Sequence, residues 1–513
     1  MEDSLVKTAA RASISADPQL GKEPHMQRRN FFPFSLLWFS IVALELSLLA
    51  GVSITESDIW VHLRNAQELL TRHSFLRADL YTFTTAGAPL LNFEWLSELT
   101  YYLAFRAWGL PGLLAVYMVL LWLIFGVVYY LALRRGANGG DAALVTMAAV
   151  ALGYCSFGPR MHHFGWLCLA VLLLVLERFQ RTGKGLWLLP PLFALWINLH
   201  GSWVFGFVVM GTYIVTGLVE GQWNNVVAER WTPAQLKKLL LASAASAVAL
   251  FANPYGYRLV WYPFELLSRQ QAVRDNMTEW QSVDFHSGWG KMAMCMILAL
   301  LAAAWFSPQP WKLRDVLLAA FAVWASLTHL RFLLFAAIML VPILGPRLRL
   351  FPPYDAKKDK PWLNLAISAA VVAIIVGSYP SAAQLQNTLD TYFPRDALRF
   401  MQQKQITGRL FHYYAFGGYI EWNAPTLKTF ADPRTDIFVY NGVLDDYLKI
   451  NAIDQPLELL DKYKIDYVLF PVNRPLIYVL DHSAGWHTIY EDKVAKLYER
   501  VPAAVSTLKV QSN

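Results

Sequence analysis

The sequence predicts a polytopic α-helical membrane protein of about 11 spans, with amphipathic surface helices in the first outer loop and a small C-terminal extracytoplasmic α/β domain. Three observations predict it. Of 513 residues, 56% are hydrophobic and only 16% are charged, against roughly 25% charged in an average soluble domain. The apolar residues are gathered into runs comparable in length to a bilayer-crossing helix. The basic residues, which give the chain a net charge of +7, recur in every second loop between those runs.

Residues 1–30 form a basic N-terminal tail with Lys7, Arg11, Lys22, Arg28 and Arg29. The first run, 31–54, is too long for a signal-peptide core and has no small-residue cleavage site, so it reads as an uncleaved span behind a cytoplasmic N-terminus. Further spans are expected near 110–133, 141–158, 162–177, 186–199, 202–219, 238–253, 289–306, 314–328, 330–345 and 362–380, closing a transmembrane domain over 31–380. The expected inner loops carry Arg134 and Arg135; Arg178, Arg181 and Lys184; Arg230, Lys237 and Lys238; Lys312 and Arg314; and the basic stretch from Arg347 to Lys360. All are basic, as the positive-inside rule requires. An odd number of crossings puts 381–513 outside the plasma membrane.

The tail from Pro394 reads as alternating helix and strand. Strands are expected at Arg409–Tyr413, Lys428–Ala431, Tyr467–Pro471, His487–Tyr490 and Ala495–Tyr498, with a helix near Gln455–Tyr463. Asp432, Arg434 and Asp436 suit a salt-bridged turn, or acceptor binding at a rim. The cysteines Cys155, Cys168 and Cys295 lie in or beside apolar runs, so no disulfide framework is expected. Basic residues interleaved with aromatics on one face, as nucleic-acid binding needs, do not occur.

Four short polar runs fall at the outer ends of expected spans: Gly158 to His163, Asn198 to Gly201, Asn253 to Gly256 and Thr328 to Arg331. Polar groups in or beside hydrocarbon are costly and call for a function. Their shared side points to one outer site. The first outer loop, 54–109, carries the densest signal. Asp58, His62 and Asn65 recur at i, i+4 and i+7 beside an apolar stripe of Ile59, Leu63, Ala66 and Leu70, as an amphipathic surface helix requires. A second helix is expected from Asn92, with Glu94 and Glu98 on one face. Paired carboxylates let one act as a general base while the other orients a substrate or a metal. Helix capping by Asp58 and Glu94 is the structural alternative. For Arg160 and Arg331 it is snorkelling to headgroups, for His200 closure of a turn, and for His162 and His163 interfacial packing.

These motifs, together with the runs from Leu195 to Gly201, Asn253 to Gly256 and Glu279 to Ser282, resemble the GT-C superfamily of polyprenyl-phosphate-dependent membrane glycosyltransferases, and within it a bacterial group described as related to RgtA/B/C/D. The resemblance spans nearly the whole chain. It implies inverting transfer of a sugar from a polyprenyl-phosphate donor to a hydroxyl on a glycan, lipid or protein acceptor, with an acidic residue of the first outer loop as base. That match falls on Asp58, although Glu56 stands two residues away and leaves the base open between them. On this reading Glu94 binds hydroxyls beside the base, and Arg160, Arg331, His163 and His200 hold the donor phosphate. Glu56, His62, Glu98, Tyr255 and Glu279 contact substrate.

No cofactor is demanded. Asp58 and His62 have ligand spacing, and with Glu94 would make a hard-ligand set for a divalent cation. No phosphate-binding glycine loop occurs, which disfavours a nucleotide-sugar donor. The alternative function is a non-catalytic binding or assembly protein of glycan or cell-envelope biosynthesis on the same scaffold. A transporter is disfavoured because the polar runs gather at one face rather than at the midplane.

Overall fold

The computed structural model describes residues 23–52, 54–269 and 277–501. Most of the basic tail expected over 1–30 lies outside them. In chain order the first helices are α1 (Glu23–Val52), α2 (Asp58–Arg72), α3 (Trp95–Arg134), α4 (Gly139–Gly153), α5 (His162–Thr182), α6 (Leu189–Leu199) and α7 (Trp203–Thr216). Then come α8 (Pro233–Ala249), α9 (Tyr257–Arg269), α10 (Gly288–Phe306), α11 (Leu313–Thr328), α12 (Leu333–Leu344), α13 (Pro361–Gly377) and α14 (Ala382–Asp390). Every apolar run expected to span contains one of these helices. Among the described residues, five are long and apolar enough to cross a bilayer, or six if α13 and α14, bent by 56°, count as one. Others are short: α6 has 11 residues, about 16 Å at 1.5 Å per residue.

Helix α3 is two helices joined at Gly109, whose backbone (φ 62, ψ −148) is open only to glycine. Pro111 follows, where its fixed φ suits the first turn of the second segment. The first segment is the helix expected from Asn92. The second is the span. Helix α2 departs from the expectation of a helix lying on the membrane surface. Its Ile59, Trp60, Val61, Leu63 and Ala66 are all buried, because it is packed between α3 and a short helix of the C-terminal region, α16 (Gly417–Asn423).

The connections at the end of the bundle away from the start of α2 hold a small sheet that the sequence did not announce. Strands β1 (Gly221–Trp223) and β2 (Val226–Ala228) form a hairpin, and β2 pairs in parallel with β3 (Trp311–Lys312). Its one visible signal is Asn224, left-handed (φ 51) in the two-residue turn.

The C-terminal region opens with α15 (Arg395–Gln403) and β4 (Leu410–His412), and α16 is followed by α17 (Val443–Asn451) and α18 (Pro456–Lys462). It closes with β5 (Tyr467–Pro471), α19 (Pro475–Asp481), β6 (Trp486–Glu491) and β7 (Ala495–Arg500) in a sheet ordered β4-β5-β7-β6. The expected strand at Lys428–Ala431 is not in that sheet. Thr429 instead bridges to Thr82 of the 54–109 loop: the Phe83 amide donates to the Thr429 carbonyl (3.0 Å) and the Thr429 amide to that of Tyr81 (3.2 Å). Leu76 and Leu90 of the same loop are buried in one core with Phe411, Phe430 and Tyr447.

A buried cation secures this join. Arg434 Nη2 donates to Asp79 (2.6 Å) and to Asp432 (2.5 Å), and its guanidinium lies 4.6 Å from the centre of the Tyr81 ring. The salt-bridged turn therefore exists between Asp432 and Arg434. Asp436 is outside it and accepts a hydrogen bond from Tyr262. Replacing Arg434 with Met leaves two buried carboxylates unpaired and is expected to cost about 3–5 kcal/mol. Denaturant unfolding of the detergent-solubilised protein checks this. A loss below about 1 kcal/mol would show that the pair is not what holds the loop.

Candidate functional site

The helix ends that meet at one end of the bundle enclose a cavity of about 770 Å³. Helix α2 turns Asp58 and His62 into it and the start of α3 adds Glu94 and Glu98. The α4–α5 connection supplies Arg160 and His162, the α6–α7 turn His200, the segment before α10 Glu279 and Trp280, and the α11–α12 turn Arg331. The C-terminal region closes the wall with Tyr413, Tyr414, Arg434 and Asp436.

The cations share carboxylates. Arg160 bonds Glu56 through Nε (2.6 Å) and Glu279 through Nη1 (2.7 Å), while Arg331 Nη1 is 3.3 Å from the other oxygen of Glu279 and its guanidinium stacks 4.3 Å above Trp280. Gly158 permits the first contact. Its φ of +144 is open to glycine, and a Cβ there would lie 2.2 Å from Glu56 Cγ. Burial raises Glu56 above the usual carboxylate range, and Arg160 only partly opposes it. Glu279 is lowered: burial would raise it, but Arg331 and Arg160 together prevail. The two arginines thus share one firmly ionised carboxylate, Glu279, while Glu56 is the more reluctant partner of Arg160.

The acidic side is organised around His62. Its Nδ1 is 2.8 Å from Glu98, which also accepts from Asn65 (2.8 Å) and Asn92 (2.5 Å), and its Nε2 is 3.8 Å from Glu94. Burial alone would lower His62. The bond to Glu98 and the charges of Glu94, Glu98 and Asp58 outweigh it and lift the imidazole to about 9. Burial lifts Glu94 to about 7, against the pull of His62. On its other side Glu94 lies 3.4 Å from His200 Nε2. His200 is held neutral, near 3, by burial and by Arg331. Its Nδ1 accepts the Ser202 amide (3.0 Å), so its proton is on Nε2, facing Glu94. Asp58 starts α2, where a helix N-terminus favours an anion, and accepts from Ser57 (2.9 Å).

Asp58, Glu94, Arg160, Arg331, His62, Glu98, His200 and Glu279 of the expected residues are thus brought together. Three are not on the wall. Glu56 stands behind Arg160. His163 is fully buried against His162 and Tyr117, with Nδ1 at 3.1 Å from the Arg160 carbonyl, and it is His162 that faces the cavity. The Tyr255 hydroxyl donates to the Leu76 carbonyl (2.9 Å). The run from Asn253 to Gly256 therefore supports the 54–109 loop from behind, and three of the four polar runs, not all four, reach the site. Sequence reasoning missed Trp280, Tyr413, Tyr414 and the Asn92 contact to Glu98. Of these, Trp280 lay in the run from Glu279 to Ser282 without being given a role of its own.

The proposed divalent-cation set does not fit. Among the described residues no group of three or more His, Cys, Asp or Glu side chains is placed to hold a metal.

No protein-family model and no curated protein matches the chain. Solved structures do. The apo oligosaccharyltransferase of Archaeoglobus fulgidus superposes with a TM-score of 0.53 at 11% identity, over 94% of this chain and 81% of that one. ArnT from Cupriavidus metallidurans bound to undecaprenyl phosphate gives 0.52 at 13% identity, over 91% and 98%. The mycobacterial arabinofuranosyltransferase AftD gives 0.51 at 10%, over 91% of this chain and 40% of that longer one. At such identities the likeness is one of architecture, and it is consistent across all three: the chain has the fold of the GT-C superfamily of membrane glycosyltransferases.

Proposed function

We propose that the protein transfers a sugar from a polyprenyl-phosphate donor to an acceptor hydroxyl, with inversion, at the outer face of the plasma membrane. The observation that carries the reading is the convergence of Asp58 and Glu94 with Arg160 and Arg331 on one cavity wall. A lipid-linked sugar needs a cationic seat for its phosphate and a carboxylate beyond it. This wall has both. The GT-C fold supports the activity, and the undecaprenyl phosphate held by ArnT supports the donor class.

In the proposed step Asp58 takes the proton of the acceptor hydroxyl. The acceptor oxygen bonds the anomeric carbon as the bond from that carbon to the phosphate oxygen breaks, and polyprenyl phosphate leaves. Arg331 is the better phosphate donor because its guanidinium is stacked on Trp280 and shares one carboxylate, whereas Arg160 is engaged by two. Glu94 accepts hydrogen bonds from sugar or acceptor hydroxyls, and His62 and His200 set its charge and orientation. The same reading puts the N-terminus in the cytoplasm and the α/β region from residue 381 onward outside. Glycan, lipid and protein acceptors all present the required hydroxyl.

Three outcomes test it. With polyprenyl-phosphate sugars and candidate acceptors, Asp58→Asn is expected to lower kcat by about 10²–10⁴-fold while donor binding is kept. Turnover that survives this change would remove Asp58 as the base. Absence of transfer and hydrolysis with every donor would favour a binding or assembly protein. Arg331→Gln is expected to raise the donor KM about tenfold or more, with Arg331→Lys restoring only part of it, since an ammonium lacks the planar fork. Equal KM values for wild type and Arg331→Gln would take the phosphate away from this residue. Finally, activity should rise as Glu94 ionises near pH 7 and fall as His62 loses its proton near pH 9. The lower limb should vanish in Glu94→Gln and the upper one in His62→Asn. A profile unchanged by either substitution contradicts the assignment.

A further inference from the structure

A second polar cavity, of about 360 Å³, lies at the other end of the bundle. Helix α5 connects the two levels: it starts at His162 on the wall of the first cavity and ends near Arg181 on the wall of the second. Its 21 residues span about 30 Å, the thickness of a bilayer's hydrocarbon. Helix α12 repeats the relation, following Arg331 at one end and preceding Arg347 at the other. The second cavity is therefore at the opposite membrane face, too far away to serve the glycosyl-transfer site.

Its wall has more cations than carboxylates. Arg135, Arg181, Lys312, Arg314 and Arg347 face only Glu177, Glu229 and Asp315. Glu177 bonds Arg135 (3.0 Å) and Arg181 (2.7 Å), Asp315 bonds Arg135 (3.2 Å), and Glu229 meets Lys312 (3.1 Å). Arg347 has no such partner. Among the described residues no carboxylate lies within ion-pair distance of it. Its guanidinium stacks 4.0 Å over Trp311, Nη1 donates to the Ile343 carbonyl, and Nε is buried without a hydrogen-bond partner. A smaller cavity, of about 180 Å³, shares Glu229, Lys312 and Arg314 and adds Arg230. A cationic surplus held in a partly dry site is unfavourable until an anion joins it.

The level of the cavity identifies the anion's source. Trp187, at the start of the α6 run, is 75% exposed, and Trp305 and Phe306, at the end of α10, are 84% and 79% exposed. The last two lie a few residues before Gln309 and Pro310 of the wall. Large exposed aromatic rings at one end of a bundle mark the headgroup level, and basic pockets between helices at that level suit lipid phosphates. We infer that this cavity binds the phosphodiester headgroup of an anionic glycerophospholipid from the leaflet opposite the transfer site, with Arg347 as its principal donor.

The test uses the full-length protein in nanodiscs of phosphatidylcholine with increasing phosphatidylglycerol. Lipid retention is read by native mass spectrometry and stability by thermal unfolding. Phosphatidylglycerol is expected to be retained and to raise the unfolding midpoint. Arg347→Gln should weaken its retention about tenfold, and Arg347→Lys should fold and fall between. Arg349→Gln, which removes an equal charge from an exposed neighbour, should bind as wild type does. Three results overturn the inference: equal retention of phosphatidylcholine, an Arg349→Gln loss as large as that of Arg347→Gln, or the same Arg347-dependent protection from inorganic phosphate alone. If Arg347→Gln does not fold, the Arg347→Lys affinity decides, and a value equal to wild type overturns it.

Discussion

A charge withdrawn from water must find a partner, and at the mouth of this bundle that partner is Glu279. It reaches Arg160 with one oxygen and Arg331 with the other, and so ties three chain connections that are far apart in sequence. The next residue, Trp280, lies against Arg331, so two consecutive side chains fix one guanidinium from two directions. Without such a bridge two half-buried arginines would repel each other and lose part of their hydration uncompensated. With it they stand side by side in a form that an incoming phosphate can share.

The acidic half of the cavity follows the same constraint by another route. Tyr81 donates to Asn65 (2.9 Å), Asn65 and Asn92 donate to Glu98, Glu98 holds His62, and His62 faces Glu94. The chain begins under Arg434, whose guanidinium covers Tyr81. The buried ion pair that fastens the C-terminal region to the 54–109 loop therefore also stands at the root of the network that sets the charge on Glu94. Two carboxylates on one wall, Asp58 at a half-buried helix start and Glu94 between two imidazoles, occupy different environments, which is how one site assigns different roles to like groups.

The two polar cavities differ in sign balance as well as in position. Acids and bases interlock at the first, and a cationic surplus remains at the second. Helices such as α5 and α12 connect them through apolar residues, so the functional polarity of the molecule is concentrated at its two ends while its middle is core.

Apolar run length and loop charge were enough to place a helix in every expected segment, because hydrocarbon leaves a chain no other way to satisfy its backbone. Alternation also located β5 to the residue. The i, i+4, i+7 pattern of Asp58, His62 and Asn65 was legible because a helix projects those positions to one side. Periodicity could not say what covers that helix. The sequence pattern of α2 fits a membrane surface equally well, and only the folded chain set α16 upon it. Nor could it tell His162 from His163, or a strand in a sheet from the single bridge that Thr429 makes with Thr82. Local spacing, then, determined which residues share a face. Which faces meet, and so which carboxylate neutralises which arginine, was decided by tertiary structure, since pairing energies at a buried site depend on distances between residues the chain brings together only when folded.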